Sequence, residues 1–207
     1  MKHFLDFGTH RFQGLNEFTS KLSIDKEWSV QCYEANPYTY DLTKEKGEKI
    51  SERYKSFSHN NKAVMDQAGT ITVHCHKGSW DNGVYKELWT SGSNVLDDTP
   101  TYDAVSGVIF DIVDAEVECI AIEDILAGIC KEDPEAEIYI KCDIEGSEFA
   151  VLPKIIDSDY KENIVEMYVE WHERFWFEKG EYQEKVRERQ YLEGRLKRLG
   201  VKMYTHR

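Results

Sequence analysis

The stretch Phe4-Leu5-Asp6-Phe7-Gly8-Thr9-His10-Arg11-Phe12-Gln13-Gly14 constrains the fold more than any other part of the sequence. An apolar run with one acid inside it reads as a buried strand. It stops on a glycine, and a second glycine stands where a helix carrying Leu15, Phe18 and Leu22 begins. A strand that passes through a glycine turn straight into a helix opens an α/β unit. Glycine lets backbone approach a ligand closely, and a helix start offers unpaired N–H groups to a carboxylate or phosphate. Alone, such a turn is equally a structural device.

The rest of the chain continues the alternation of strand and helix. Strands are expected at residues 28–33, 56–64 (interrupted by His59-Asn60-Asn61), 138–143, 164–171 and 201–205. Helices are expected from Pro37 to about Tyr54, over 123–130, from Ser147 onward and over 181–199. Pro153 should kink the helix after Ser147 or mark a second start. Residues 70–76 alternate with period two, as a half-exposed antiparallel strand does. Residues 78–104, rich in Gly, Ser, Asp and Asn, read as a long loop, with further strands at 105–111 and 116–121.

The 207 residues fit one domain spanning 1–207. A net charge of −13 repels phosphate backbones and anionic membranes, which leaves a small neutral or cationic molecule as the easier partner. The five cysteines form no C-x-x-C pair and read as small buried hydrophobes in a reducing compartment. No segment reads as a signal peptide or approaches the ~20 apolar residues of a membrane span, so a soluble, cytoplasmic protein is expected. The basic residues Lys185, Arg187, Arg189, Arg195, Lys197, Arg198, Lys202 and Arg207 read as a solvated face or as a patch for an acidic partner.

Chemistry concentrates at strand ends. Glu34 closes the second strand, twenty residues after Gly14, where an acid can accept both ribose hydroxyls of a nucleoside cofactor. The spacing Gly8-x5-Gly14, with His10 where a dinucleotide motif would carry its second glycine, suits a ligand with one carboxylate and no pyrophosphate. S-adenosylmethionine meets that description better than NAD, and Asp6 would face its ammonium group. Lys141-Cys142-Asp143-Ile144-Glu145-Gly146-Ser147-Glu148 puts acids at the carboxyl end of another strand. Lys141 and Asp143 share a strand face and can pair, while Glu148 suits a helix N-terminus. Glu170-Trp171-His172-Glu173 ends the next strand, where His172 is either a proton acceptor or a partner for a carboxylate. His74 and His76 share a face with Cys75 opposed, and no zinc spacing occurs there. No metal is expected, the competing account being a divalent cation such as magnesium gathered by Asp143, Glu145, Glu170 and His172. Trp80-Asp81-Asn82-Gly83 and Gly92-Ser93-Asn94 are candidates to close over a substrate.

Taken in order, these segments resemble the FkbM-family methyltransferases. Asp6-Phe7-Gly8 with Gly14, Tyr33-Glu34-Ala35-Asn36-Pro37, Asn61-Lys62-Ala63-Val64, Ile122-Glu123-Asp124-Ile125-Leu126 and the Lys141 to Glu148 segment follow the family's order, and the resemblance covers residues 3–173. The family carries Asp-x-Gly-Ala-Asn-x-Gly, Phe-Glu-Pro-x-Pro, an aspartate-leucine pair before a helix, and Lys-x-Asp-x-Glu-Gly-x-Glu. Thr9-His10 replaces the usual Ala-Asn, and Ala35-Asn36 the usual Pro-x. The resemblance implies an α/β, Rossmann-like class I methyltransferase fold. Its sheet should be mainly parallel with an antiparallel C-terminal edge. It also implies S-adenosylmethionine as cofactor and O-methylation of a sugar or natural-product-like hydroxyl. The expected cofactor-binding residues are Asp6, Gly8, Thr9, His10, Gly14, Glu34, Ala35, Asn36, Ala63 and Asp143. The expected catalytic residues are Asp143, Glu145 and His172, acting on a small-molecule acceptor, in a chain that can also form a homo-oligomer. A nicotinamide-dependent oxidoreductase and a non-catalytic S-adenosylmethionine-binding module are the alternatives.

Overall fold

A computed structural model describes residues 1–81, 84–86, 102–103 and 108–205. In chain order the elements are β1 (Lys2–Phe7), α1 (Gln13–Leu22), β2 (Trp28–Tyr33), α2 (Pro37–Ser51), β3 (Ser56–Asn60), β4 (Ala63–Met65), β5 (Gly69–Asp81) and β6 (Val84–Lys86). They continue with β7 (Tyr102–Asp103), β8 (Val108–Ala121), α3 (Ile122–Glu132), β9 (Glu137–Cys142), α4 (Glu148–Asp157), β10 (Ile164–Val169), α5 (Tyr182–Arg198) and β11 (Lys202–Thr205).

Six strands form one sheet in the order β11-β10-β9-β1-β2-β3. Every neighbouring pair in it is parallel. The chain leaves β1 toward β2 and β3, then returns to the other side of β1 as β9. That reversal creates a switch point between β1 and β9, where open α/β sheets bind ligands beyond the carboxyl ends of the strands. The architecture is the Rossmann-like α/β fold expected from the sequence.

The sheet is covered on both sides, which is why β1 and β9 read as near-continuous apolar runs. On one face Leu5, Phe7, Ile138, Ile140 and Cys142 pack with residues of α3, α4 and α5, among them Leu126, Leu152 and Leu196. On the other, Phe4 and Tyr139 pack with Phe12, Leu15 and Phe18. Full burial of each such apolar side chain contributes about 1.5–3 kcal/mol. Two polar residues interrupt the second face, Asp6 on β1 and Lys141 on β9. They stand directly opposite each other in the β1–β9 register.

Four expectations are corrected. The C-terminal edge strand is parallel: β11 pairs with β10 from Glu166↔Lys202 to Val169↔Thr205. The helix α5 lies between them as a crossover, and such a connection returns the chain in the same direction. The single strand expected over 56–64 is two strands in two sheets. The Asn60 side chain turns back to Cys32 O (3.1 Å) and that of Asn61 to Glu34 O (2.8 Å), and this diverts the chain from β3 into β4. Residues 78–104 are not one loop. β5 runs on to Asp81 across a register shift at residues 76–78, β6 and β7 follow, and 92–94 lie outside the described residues. The two strands expected at 105–111 and 116–121 are, over the described residues 108–121, one strand, β8, antiparallel to β5.

These elements make a second sheet, β4-β8-β5-β6 with β7 on β8. Ala63, Val73, Cys75, Val117 and Cys119 bury one of its faces, with Ala35 and Tyr38 packed against them. Pro153 sits inside α4, which runs unbroken through it. Among the described residues no helix is long and apolar enough to cross a membrane.

Candidate active site

Parallel pairing brings the segments after β1, β2, β9 and β10 to one edge. These carry the glycine turn, Glu34, Asp143 and the Glu170–His172 pair. The turn is tightly wound: Gly8, His10 and Phe12 have φ of 72°, 48° and 60°. Left-handed backbone costs about 1–2 kcal/mol at a residue with a Cβ, so His10 and Phe12 are held there by contacts. The N–H groups of Gly8 and Thr9 both donate to Tyr33 O at 3.0 Å. Thr9 Oγ1 donates to Asp6 Oδ2 (2.7 Å), His10 N to Glu34 Oε2 (2.8 Å) and Lys46 Nζ to Arg11 O (2.6 Å). His10 thus takes a left-handed conformation although it carries a Cβ. No side chain caps the start of α1.

The two glycines make room for β9. A Cβ on Gly8 would stand 1.8 Å from the Asp143 carbonyl oxygen, and one on Gly14 would stand 3.1 Å from Lys141 Cε and 3.4 Å from Asp6 Oδ1. Beneath the turn, Lys141 Nζ donates to Gly8 O at 2.6 Å and pairs with Asp143 Oδ2 at 3.1 Å and Asp6 Oδ1 at 3.4 Å. Burial disfavours the charged ammonium, but Asp6 and Asp143 outweigh it and hold the pKa above its ordinary value. The sequence-based pairing of Lys141 with Asp143 is present. Asp6, expected to face a ligand ammonium, has the ammonium of Lys141 beside it and is fully buried.

Glu34 is buried at the end of β2, and its carboxylate accepts two backbone N–H groups, His10 on Oε2 and Asn36 on Oε1 at 2.9 Å. Burial pushes its pKa up to about 7, with those two hydrogen bonds opposing the shift. A carboxylate has about four acceptor positions, so one remains on each oxygen. Asn36 caps α2 through Oδ1 and donates to His76 O at 3.0 Å, which ties the second sheet to this corner. Ala35 and Ala63 pack in the apolar cluster alongside.

Around His172 the acids converge. The ring is fully buried, and its Nδ1 bonds Glu148 Oε1 at 2.8 Å. Glu148, also fully buried, accepts the N–H groups of Ile144 and Gly146 at 2.9 Å each. It thereby fixes the 143–147 turn, where Glu145 has a strained φ of 52°. Nε2 of His172 faces Glu145 Oε2 at 3.2 Å, and Asp143 Oδ1 and Glu170 Oε1 at 3.7 Å each. Burial raises Glu145 to about 7, with the His172 charge opposing. For His172 burial favours the neutral ring, yet Glu148, Glu145 and Asp143 together hold its pKa above the ordinary value. Such a cluster can hold or move a proton near neutral pH. Glu148 was missed as a site residue, and Glu170 enters from the sequence only in the rival account in which it joins Asp143, Glu145 and His172 around a divalent cation. The motif's last glutamate was a signal for Glu148, and the fold brings Glu170 Oε1 to 3.7 Å from His172 Nε2.

The other sequence candidates lie elsewhere. His74 pairs with Asp114 at 2.7 Å, and Cys75 joins the apolar face of the second sheet. Arg189 and Arg195 of the basic C-terminal helix bond Glu173 (2.5 Å) and Asp157 (2.7 Å).

A parallel sheet with its switch point at a glycine turn, an acid ending the adjacent strand and an acidic turn after β9 are consistent with a Rossmann-like methyltransferase fold. Comparison with known families specifies which: the methyltransferase FkbM domain matches residues 6–199, and the chain belongs to that family. Searches among curated proteins and among solved structures return no match.

Proposed function

We propose that this chain uses S-adenosylmethionine to methylate a hydroxyl group on a small molecule of the sugar or natural-product kind. The observation that carries the reading is the Glu34 carboxylate, buried beside the glycine turn with one acceptor position left on each oxygen. The chain's own residues fit a nucleoside there. Glu34 would take the two ribose hydroxyls, while Gly8, Thr9, His10 and the uncapped start of α1 would meet the amino-acid end. Asp6 holds the turn from below, and Ala35, Asn36 and Ala63 form the wall beyond Glu34. When bound, the cofactor supplies an electrophilic methyl group. Asp143, Glu145 and His172 orient the acceptor hydroxyl and take its proton. Alignment of the two reactants supplies much of the rest. The charge of −13 favours a small neutral or cationic acceptor over nucleic acid or an anionic membrane. Five buried free cysteines suit a reducing, cytoplasmic setting.

S-adenosylmethionine and S-adenosylhomocysteine are expected to raise the melting temperature, and NAD to leave it unchanged. A ligand of the native state stabilises it by ~2.7 kcal/mol at a hundredfold excess over its dissociation constant. A shift with NAD, or none with either sulfur compound, overturns the reading.

Affinity for S-adenosylhomocysteine should also depend on pH through Glu34. The ionised carboxylate accepts the hydroxyls, so binding should weaken as pH falls through about 7. It should level near the affinity of Glu34→Ala, about 1.5–3 kcal/mol weaker than at high pH. In the ligand-free protein the sign reverses. A raised acid pKa means that the native state binds the extra proton, so this group's contribution to stability is lost as pH rises from the ordinary carboxylate range to about 7. Calorimetry showing the same pH profile in Glu34→Ala as in wild type would remove the ribose role.

A further inference from the structure

We propose that Asp143, Glu170 and His172 form a binding site for one first-row divalent cation, with positions left open for vicinal hydroxyls of the acceptor. One ligand atom from each of the three lies within 4.8 Å of the others. Ligands around an ion at about 2.1 Å stand roughly 3–4.2 Å apart, so closing the set needs only small side-chain rotations.

The histidine makes this more than a group of acids. Its side chain is 1% exposed, and Nε2 makes no hydrogen bond among the described residues while pointing at the carboxylates. Its other nitrogen is committed to Glu148, whose two oxygens are held by the backbone of the 143–147 turn. A histidine that gives one ring N–H to a carboxylate and turns the other nitrogen toward an open cluster has the outer-shell support of a metal ligand. Asp143 and Glu170, with side chains 25% and 27% exposed, reach both the buried ring and solvent. Glu145 Oε2, buried and without a hydrogen bond among the described residues, stands on the same side at 3.2 Å from Nε2.

One imidazole with two carboxylates suits a first-row cation such as Mn²⁺ or Zn²⁺ better than Ca²⁺. Three protein ligands leave room for water or substrate oxygens, and a bound oxygen becomes more acidic. The acceptor would then be a molecule with two adjacent hydroxyls able to chelate, a statement that rests on the methyl-transfer reading. The cation site does not rest on it. From the sequence no metal is expected, and a cation held by Asp143, Glu145, Glu170 and His172 stands only as a rival account. These ligands come from the ends of two strands that only the parallel sheet makes neighbours.

The test is titration of chelator-stripped protein with Mn²⁺ and separately with Zn²⁺, read by calorimetry and by the Mn²⁺ electron paramagnetic resonance signal, without cofactor or acceptor. One ion per chain is expected. Asp143→Asn and Glu170→Gln should each weaken binding at least tenfold while keeping native melting curves. Asp114→Asn, which alters the distant His74 pair, should leave binding unchanged. Absence of binding by both ions overturns the site and assigns the cluster to a protonated His172 acting as its own cation. Binding unaffected by Asp143→Asn and Glu170→Gln overturns it as well. The thermal shift with S-adenosylhomocysteine is read separately, so failure of the cation site and failure of the cofactor reading are distinguishable. Loss of methyl transfer to a vicinal diol on chelation, restored by Mn²⁺, would support the acceptor class. Transfer that continues at full rate under chelation would overturn it.

Discussion

Lys141→Met is expected to destabilise the fold by about 3–5 kcal/mol, the range for removing one partner of a buried ion pair. The methionine fills much the same volume, so packing against Gly14 is kept while the charge is lost. Four groups then lose the ammonium, the Phe7 carbonyl least because it stands 3.4 Å away and also accepts Asp143 N. Gly8 O loses a 2.6 Å hydrogen bond, Asp143 an ammonium at 3.1 Å, and Asp6, wholly enclosed, the positive charge 3.4 Å from Oδ1. The last dominates, because an uncompensated carboxylate away from water is the costly species. Adding Asp6→Asn to Lys141→Met should recover much of the loss, since replacing both members of a buried pair is often near neutral. Denaturant titration of wild type, single and double variants reads all three. A single variant as stable as wild type would mean that Lys141 does not neutralise Asp6.

The same triad shows how far the sequence could be read. Lys141 and Asp143 lie two apart on one strand, so their pairing follows from the period of a strand alone. The Asp6 partner was hidden because it depends on the β1–β9 register, which brings together residues far apart in the chain. The bounds of β2 were legible because Trp28, Val30 and Cys32 alternate with Ser29 and Gln31, and Pro37 opens a helix soon after Tyr33. The second sheet was legible in part, since the period-two alternation of residues 70–76 marked an antiparallel strand, but its extent was not. β5 and β8 are long strands carrying polar residues such as Thr72, His74, Asp114 and Glu116, and Gly78 and Ser79 imitate a loop. The positions of Gly8 and Gly14 were legible and their reason was not, since what a Cβ would strike is β9. The left-handed backbone of His10 and Phe12 leaves no trace in residue type. Glu34 was placed correctly at its strand end, and its two backbone N–H partners appeared only with the fold.

Asp143→Asn should do the opposite of Lys141→Met, sparing the fold and removing the chemistry. Asparagine keeps an oxygen for the Lys141 ammonium, which also retains Asp6 and the Gly8 carbonyl, so no buried charge is orphaned. Asp143 is also partly exposed, and water can compensate what remains. A melting curve close to wild type is therefore expected. The lost charge stood 3.7 Å from His172 Nε2, at the carboxyl end of β9 beside the glycine turn. If that charge takes the acceptor proton or holds the group that does, methyl transfer should fall by roughly 10²–10⁴. The rate is measured with labelled cofactor and whichever hydroxyl acceptor a screen of sugars and natural products returns. Chelator added to wild type then separates the two ways the charge can act. Loss of transfer restored by Mn²⁺ marks Asp143 as a ligand, and an unchanged rate marks it as a direct partner of the acceptor hydroxyl. A folded Asp143→Asn that turns over at the wild-type rate removes Asp143 from the chemistry. One that unfolds reassigns it to the Lys141 triad, because the exposed member of that triad would then be as necessary to the fold as the buried one.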